Sequence, residues 1–546
     1  MRDASSFDAE DIAVIGYAAR LPGADGLRDV WNTLIEGKCN VGAIPDDRWS
    51  TVRYFDPNRE TLGKSYAKNA GLLDRVFDFD AGYFGLSPRE AEQMDPQQRI
   101  LLETVARSFD HAGIDPSRLD KQRTGVFIGA ASSDHSTTVL QDPSMIDAQF
   151  MLGNTLSIIS NRISYHWDIQ GPSYTVDTAC SSGLFALDQA RRAIASGEVD
   201  TAIVGSVNVL LSPMPFIGFS KASMLSATGL CQAFGSGADG YVRAEGAVVF
   251  VLRKASLARA SHDRIRSFLV ATGTNSDGRT AGIAMPSSAR QLELLEQVKG
   301  RFGVEPEDLA FVEAHGTGTL VGDPEEARAI GTAYGQQRSE PLPIGSAKTN
   351  FGHLEPAAGL VGLLKAQLAL EHGVLPASLH ADELNPHIPF DELGLEVARE
   401  VRSLPERDAP WSAAVNSFGF GGANAHAVLR QAAGRPQPEV EVPRALILTA
   451  ESHESLRDLA ESWFHKAEAD QGDLARQIAN ANTRIARHRH RLCVPAGSNE
   501  KLKANLEEWL KGTSKAAAIE GTAKYKHDSK VGFVFSGNGS QWAGMG

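Results

Sequence analysis

Two stretches of this chain are apolar on almost every side, and a helix of that kind has to lie inside the molecule with structure on several flanks. Residues 184–194 set Leu184, Leu187, Ala190 and Ile194 along one side, with Phe185 and Ala186 on others. Residues 357–370 form a second such helix, in which Gly359 and Gly362 permit close packing. Around them, short buried strands alternate with helices. The strands are predicted at 11–16, 125–129, 173–176, 201–205, 247–252, 268–272, 309–314, 344–346, 413–417 and 425–429. The helix after Asp95-Pro96 has Ile100, Leu101, Val105 and Phe109 on its apolar face and stops at Gly113. Strands alternating with helices predict an α/β architecture. Residues 40–90 have no sustained period and read as a long ordered excursion on the surface.

A chain of 546 residues exceeds one ordinary core, so two or more domains are expected. The proline-rich, charged run Gly434-Arg435-Pro436-Gln437-Pro438-Glu439 marks a boundary. It separates residues 1–433 from a small α/β module at 434–530, with a strand at 445–448 and helices near 453–468, 473–486 and 499–511. Residues 531–546 supply one strand and a loop, which cannot form a core alone and so read as the cut start of a further domain.

Charge and cysteine usage exclude several function classes. A net charge of −13 argues against a nucleic-acid surface. The basic run Arg487 to Arg491 reads as a solvated face. Cys39, Cys180, Cys231 and Cys493 form no C-x-x-C pair, which argues against a zinc ribbon or disulfide framework and suits a reducing cytoplasm. No apolar run reaches the ~18 residues of a membrane span, and the first ten residues are too polar for a signal peptide. The G-x-G-x-x-G at 235–240 has no strand before it and no helix after it, which argues against a dinucleotide site.

Cys180 stands where the strand at 173–176 turns into the first apolar helix. Unpaired N–H groups and the helix dipole at such a position favour a thiolate, so a pKa below the free value of roughly 8.5 is expected. Ala179, Ser181, Ser182 and Gly183 are small enough for a thioester carbonyl to approach the backbone. His315 and His353 stand at glycine-rich corners, one after a strand and one before the second apolar helix. In open α/β sheets such strand ends are where ligands bind. A helix-capping cysteine with two such histidines points to nucleophilic catalysis.

Four motifs carry a resemblance. Asp177-Thr178-Ala179-Cys180-Ser181-Ser182, Glu313-Ala314-His315-Gly316-Thr317-Gly318-Thr319, Lys348-Thr349-Asn350-Phe351-Gly352-His353 and Asn416-Ser417-Phe418-Gly419-Phe420-Gly421-Gly422 resemble the signatures of β-ketoacyl synthases of modular type I polyketide and fatty acid synthases. Residues 434–530 resemble the linker between ketosynthase and acyltransferase in those synthases, and 531–546 the opening of the acyltransferase.

The resemblance implies a thiolase-like fold of two duplicated halves in five layers, α-β-α-β-α, and a homodimer. It implies decarboxylative Claisen condensation of an acyl chain on Cys180 with a malonyl-type extender on an acyl carrier protein. His315 and His353 would stabilise the enolate. Cys180 and Phe420 N–H groups, within the Gly419–Gly421 loop, would form the oxyanion hole, with Phe420 as gate. Lys348 would set the hydrogen bonding of the histidines, with Asp323 and Glu326 as its charge partners. Thr317 and Thr319 would hold the pantetheine arm. No metal and no cofactor bound covalently to this chain is implied, since the phosphopantetheine arrives on the carrier. The parent polypeptide would supply the acyltransferase, and the compartment would be the cytoplasm. The alternatives are a ketosynthase-like domain that only transacylates, a dimerising scaffold, and a thiolase, whose second catalytic cysteine has no matching motif here. Gly183 and Phe185 depart from the family pattern near the nucleophile and are expected to alter the acyl pocket. Ala244 and Asn538 depart as well, the former with no expected consequence and the latter in the acyltransferase loop.

Overall fold

The computed structural model describes residues 12–432, 443–468, 474–483, 488–513 and 517–523. Contacts divide the chain into two units, Met1–Arg435 and Pro436–Gly546.

The first unit runs twice through one succession of elements. The first pass is β1 (Ile12–Arg20), α1 (Pro96–Ala112), β2 (Thr124–Gly129), α2 (Leu156–Trp167), β3 (Ser173–Val176), α3 (Ser182–Ala195), β4 (Thr201–Asn208) and β5 (Gly246–Lys254). The second is β6 (Ser267–Ser276), α4 (Ser288–Phe302), β7 (Leu309–Glu313), α5 (Gly322–Ala333), β8 (Leu342–Gly345), α6 (Ala358–His372), β10 (Ser412–Phe418) and β11 (Ala423–Gln431), with β9 (Leu395–Val397) inserted before β10. Shorter elements are left unnumbered. The strands pair in the order β3-β2-β4-β5-β1 in one half and β8-β7-β10-β11-β6 in the other, so both halves follow the same winding. The parallel and antiparallel pairings also match strand for strand. The halves meet where β1 pairs with β6 antiparallel, and β9 extends the sheet beyond β8.

The two apolar helices form the middle layer. α3 touches β2 and β4 of its own half and β6 and β11 of the other, and it packs on α6. Leu184, Leu187 and Ile194 share one core with Leu360, Leu363, Phe250 and Leu429. Outer cores lie under α1 and α2 on one sheet and under α4 and α5 on the other, giving the order α-β-α-β-α. Close approach explains the glycines of α6. A Cβ at Gly359 would stand 2.7 Å from Leu184 Cγ, and one at Gly362 would stand 3.0 Å from Glu313 Cγ. Two ion pairs involve this layer: Lys365 Nζ lies 2.8 Å from Glu313 Oε2 of β7, and Arg192 lies 2.7 Å from Asp188 within α3.

Local signals explain the outer helices. α1 starts where the Asp95 side chain accepts the Gln97 N–H at 2.8 Å, and it ends at Gly113 with φ 69°. The 40–90 excursion is held from inside by Glu245. Its carboxylate takes Arg48 Nη1 at 2.6 Å and the N–H groups of Leu73 and Leu210, each at 2.8 Å.

The second unit is a three-stranded antiparallel sheet, β12 (Ala445–Ala450), β13 (His490–Pro495) and β14 (Ile519–Thr522), with α7 (His453–Glu468), α8 (Leu474–Thr483) and α9 (Asn499–Lys511). Leu456, Trp463, Ile478, Leu502 and Leu506 fill its core. In the basic run, His488 Nδ1 meets Glu451 at 2.9 Å and Arg491 is exposed. The strand predicted at 531–535 and Asn538 lie outside the described residues. Among the described residues no helix is long and apolar enough to cross a membrane.

Candidate active site

The turn between β3 and α3 is built to present Cys180. Asp177 Oδ1 accepts the N–H of Ala179 at 2.9 Å, and the N–H of Thr178 donates to Ser182 Oγ at 2.9 Å. Ala179 is thereby held at φ 57°, left-handed for a residue with a Cβ. Ser417 Oγ, on β10, donates to the Cys180 carbonyl at 2.8 Å. The loop after β10 then passes so close that a Cβ at Gly419 would stand 2.5 Å from the Thr178 carbonyl oxygen. Gly419 N–H donates to Ala423 O at 2.8 Å, which removes it from the site, while the backbone N–H groups of Phe420 and Cys180 act to lower the thiol's pKa. Gly421 has open space where a side chain would go.

One expectation is overturned here. Burial and the nearby Glu355 carboxylate push the Cys180 thiol up to about 12, against the pull of Lys348 and the two N–H groups. A helix N-terminus favours a thiolate, but removal from water opposes it and is the larger effect here. Cys180 therefore rests as a neutral thiol.

His315 and His353 come from the second half of the fold, after β7 and β8. Glu326 on α5 accepts the N–H groups of His315 at 2.7 Å and Gly316 at 2.8 Å. Asp323 accepts those of Phe234 at 2.7 Å and Gly318 at 3.1 Å. These acids therefore clamp loop backbone rather than closing ion pairs on Lys348, because the unpaired N–H groups at the ends of β7 and the Gly316–Gly318 turn need acceptors. For Lys348 itself, Glu313 and Glu326 oppose the fall that burial imposes on its pKa.

The His353 ring is set by its neighbour. Glu355 N–H donates to its Nδ1 at 2.9 Å, so the ring proton resides on Nε2. Glu355 is held in turn by Arg243, whose Nη2 lies 2.9 Å from Oε2. Backbone bonds from His353 N–H to Val242 O at 2.6 Å and from Ala244 N–H to His353 O at 2.8 Å fix the main chain. Burial first, and then the Lys348 ammonium, hold both imidazoles well below the usual histidine range, so both are neutral. Their rings stand edge to face at 5.5 Å. The Cys180 sulfur and one ring nitrogen of each histidine all lie within 4.8 Å of one another. A proton on Nε2 of His353 suits hydrogen-bond donation and leaves no lone pair there for a metal.

These groups face a cavity of about 420 Å³, which Thr317, Thr319, Met224, Met285, Leu320 and Phe420 also line. Thr317 and Thr319 hydroxyls stand 3.1 Å apart. Phe420 is 46% exposed and rests edge-on against Phe219 at 5.8 Å.

Comparison with known proteins decides the family. The family models for the N-terminal domain of β-ketoacyl synthase, its C-terminal domain and the ketoacyl-synthetase C-terminal extension match residues 9–258, 266–382 and 385–494. The chain belongs to the β-ketoacyl synthases. This ketosynthase is 39% identical over 548 residues to a component of the phenolphthiocerol/phthiocerol polyketide synthase of Mycobacterium tuberculosis, covering 98% of this chain and 29% of that protein. To the erythronolide synthase EryA2 of Saccharopolyspora erythraea it is 38% identical, covering 98% of this chain and 15% of that one. It thus spans less than a third of the polyketide synthases that it matches. Among solved structures, the oxazolomycin ketosynthase domain OzmH KS7 of Streptomyces albus JA3453 matches with a TM-score of 0.87 at 36% identity, over 94% of this chain and 90% of that one. The module 6 ketosynthase of the bacillaene synthase of Bacillus subtilis 168 gives 0.85 at 33%, over 94% and 88%. The thiolase-like fold is shared with them.

In this ketosynthase the described departures from the family pattern, Gly183, Phe185 and Ala244, are not among the residues that line the cavity. Gly183 is buried against α6, where a Cβ would meet Leu360 Cγ at 2.9 Å and the Pro356 carbonyl at 3.1 Å. Phe185 packs against the central core. Neither lines the cavity that Cys180, His315 and His353 face. Ala244 N–H bonds the His353 carbonyl, a main-chain contact that a glycine at this place would make equally. Sequence reasoning missed Glu355 and Arg243. The acidic residue two places after His353, and the arginine within the Asp239–Gly246 motif, were the available signals.

Proposed function

We propose that this ketosynthase takes an acyl chain from a phosphopantetheine thiol onto Cys180 and extends it by decarboxylative condensation with a malonyl-type unit. The observation that carries the reading is the cluster of the Cys180 sulfur and one ring nitrogen from each of two neutral imidazoles within 4.8 Å. In acylation Cys180 sulfur attacks the thioester carbonyl, and the proton it loses ends on the departing carrier thiol. The N–H groups of Cys180 and Phe420 bind the oxyanion, each donor contributing about 3–4 kcal/mol. In condensation the extender loses carbon dioxide, and Nε2–H of His353 with His315 stabilises the enolate. The enolate carbon attacks the acyl-cysteine, leaving a β-keto thioester on the carrier and freeing the sulfur. Neutral imidazoles can serve this step, since each keeps one N–H with which to donate to the enolate oxygen. Burial keeps both rings uncharged, and Lys348 adds to this through space.

The cavity lining supports Thr317 and Thr319 as contacts for the pantetheine arm and Phe420 as the gate at its mouth. We assign residues 1–433 as the ketosynthase, 434–530 as a linker domain and 531–546 as the start of an acyltransferase. The partners are a carrier protein, that acyltransferase and a second copy of the chain. The polyketide synthase relatives support this organisation, and free cysteines at 39, 180, 231 and 493 suit the cytoplasm.

Intact-mass analysis with an acyl thioester tests the reading. Cys180 gains the acyl mass and Cys180→Ala does not. His315→Ala still acylates and no longer elongates. Labelling of Cys180→Ala at the original rate, or normal elongation by His315→Ala, overturns it.

A further inference from the structure

A buried polar chain runs from α5 to the His315 loop, and the mechanism leaves it unused. Tyr334 Oη stands 3.0 Å from Nε2 of His426, and Nδ1 of His426 stands 2.7 Å from Oδ1 of Asn416. Asn416 Nδ2 stands 3.0 Å from Glu326 Oε1, the oxygen that also accepts the N–H of His315. Tyr334, His426, Asn416 and Glu326 are each at most 2% exposed.

The direction of every bond follows from one end. A carboxylate only accepts, so Asn416 must turn its NH2 toward Glu326 and its carbonyl toward His426. His426 must then carry its proton on Nδ1, which leaves the Nε2 lone pair for the Tyr334 hydroxyl. That arrangement needs a neutral ring, and burial alone lowers His426 to about 3. All donors thus point at Glu326, which receives three hydrogen bonds from His315, Gly316 and Asn416.

We infer that Tyr334, His426 and Asn416 are positioning residues for His315, acting by orienting the Glu326 carboxylate that holds its backbone. The inference rests on the proposed function and goes beyond it, because it assigns the relay to condensation and not to acylation. The oxyanion donors at Cys180 are fixed separately, through Ser417 and the Gly419–Ala423 turn. Asn416 and Ser417 are successive strand residues and point to opposite faces of β10.

The test separates the two half-reactions in the full chain: acylation of Cys180 by intact mass, and elongation with a malonyl–carrier extender. Asn416→Asp sets a second acceptor against Glu326, and elongation should fall about tenfold to a hundredfold, the usual cost of losing an outer partner of an active residue. Acylation should stay within about twofold of the unmodified chain. His426→Gln can donate to Asn416 and accept from Tyr334, and so should retain more elongation than His426→Phe. Tyr334→Phe, which deletes one hydroxyl, gives a milder loss in the same step and serves if the other variants do not fold. Equal losses in both half-reactions, unchanged elongation in Asn416→Asp and Tyr334→Phe, or His426→Gln no better than His426→Phe overturn the inference. Failure of the unmodified chain to acylate at Cys180 would instead overturn the proposed function.

Discussion

The backbone N–H of Glu355 donates to Nδ1 of His353 at 2.9 Å, and this bond decides which ring nitrogen carries the proton. The nitrogen left for the reacting groups is then a donor. Because Glu355 is itself held by Arg243, the tautomer depends on a residue 112 positions away in sequence.

Nitrogen-15 spectra of histidine-labelled protein should show His353 as the neutral Nε2–H tautomer at neutral pH. Burial and Lys348 hold this ring well below the usual histidine value, so lowering the pH to about 6 should leave it uncharged. An imidazolium signal at about pH 6.5, the ordinary histidine midpoint, contradicts this.

Alkylation of Cys180 by iodoacetamide should rise about tenfold per pH unit between roughly 7 and 9, without a plateau, because the folded-state pKa lies near 12 and each unit raises the thiolate fraction by that factor. The rate is followed by mass, with Cys180→Ala as the blank. A plateau below about pH 8 would mean that the helix end outweighs burial.

Gly183→Ser forces a Cβ to within 2.9 Å of Leu360 and 3.1 Å of the Pro356 carbonyl. Stability should fall by about 1–3 kcal/mol in denaturant melts, as for other overpacked interiors. The profile of accepted acyl chain lengths should not move. A changed profile at unchanged stability refutes the packing role.

Lys365→Met strands Glu313 inside the protein, where lysine and carboxylate are 1% and 2% exposed. Removing one partner of such a pair costs about 3–5 kcal/mol. Adding Glu313→Gln should recover part of that, since the amide oxygen can still accept the Ala347 N–H now bonded at 2.6 Å. No recovery in the double variant counts against the electrostatic explanation.

What the sequence made legible is what local chemistry determines. The Asp95-Pro96 start and Gly113 stop of α1, the short strand before Cys180 and the two central helices all follow from caps and periodicity within one or two turns. The motif residues Cys180, His315 and His353 were readable because each sits in a short glycine- or serine-rich motif beside a strand or helix end. Pairings across the fold were not. Arg243 meets Glu355 only because β5 and α6 belong to one unit, and nothing near either residue encodes that distance. The thiol's environment was misread for the same reason: a helix N-terminus is visible in sequence, whereas burial beside Glu355 is a property of the assembled fold. Gly183 looked like a pocket residue because it is close to Cys180 along the chain, but the helix turns it toward Leu360.

The duplicated halves carry one further consequence. Cys180 lies between β3 and α3, and His353 occupies the matching place between β8 and α6, so the same corner of the repeat bears the nucleophile once and an imidazole once. His315 also comes from the second copy. Neither repeat holds all three of Cys180, His315 and His353. Two copies of one winding thus contribute different side chains to one cluster, and the strand pair β1 and β6 joins them.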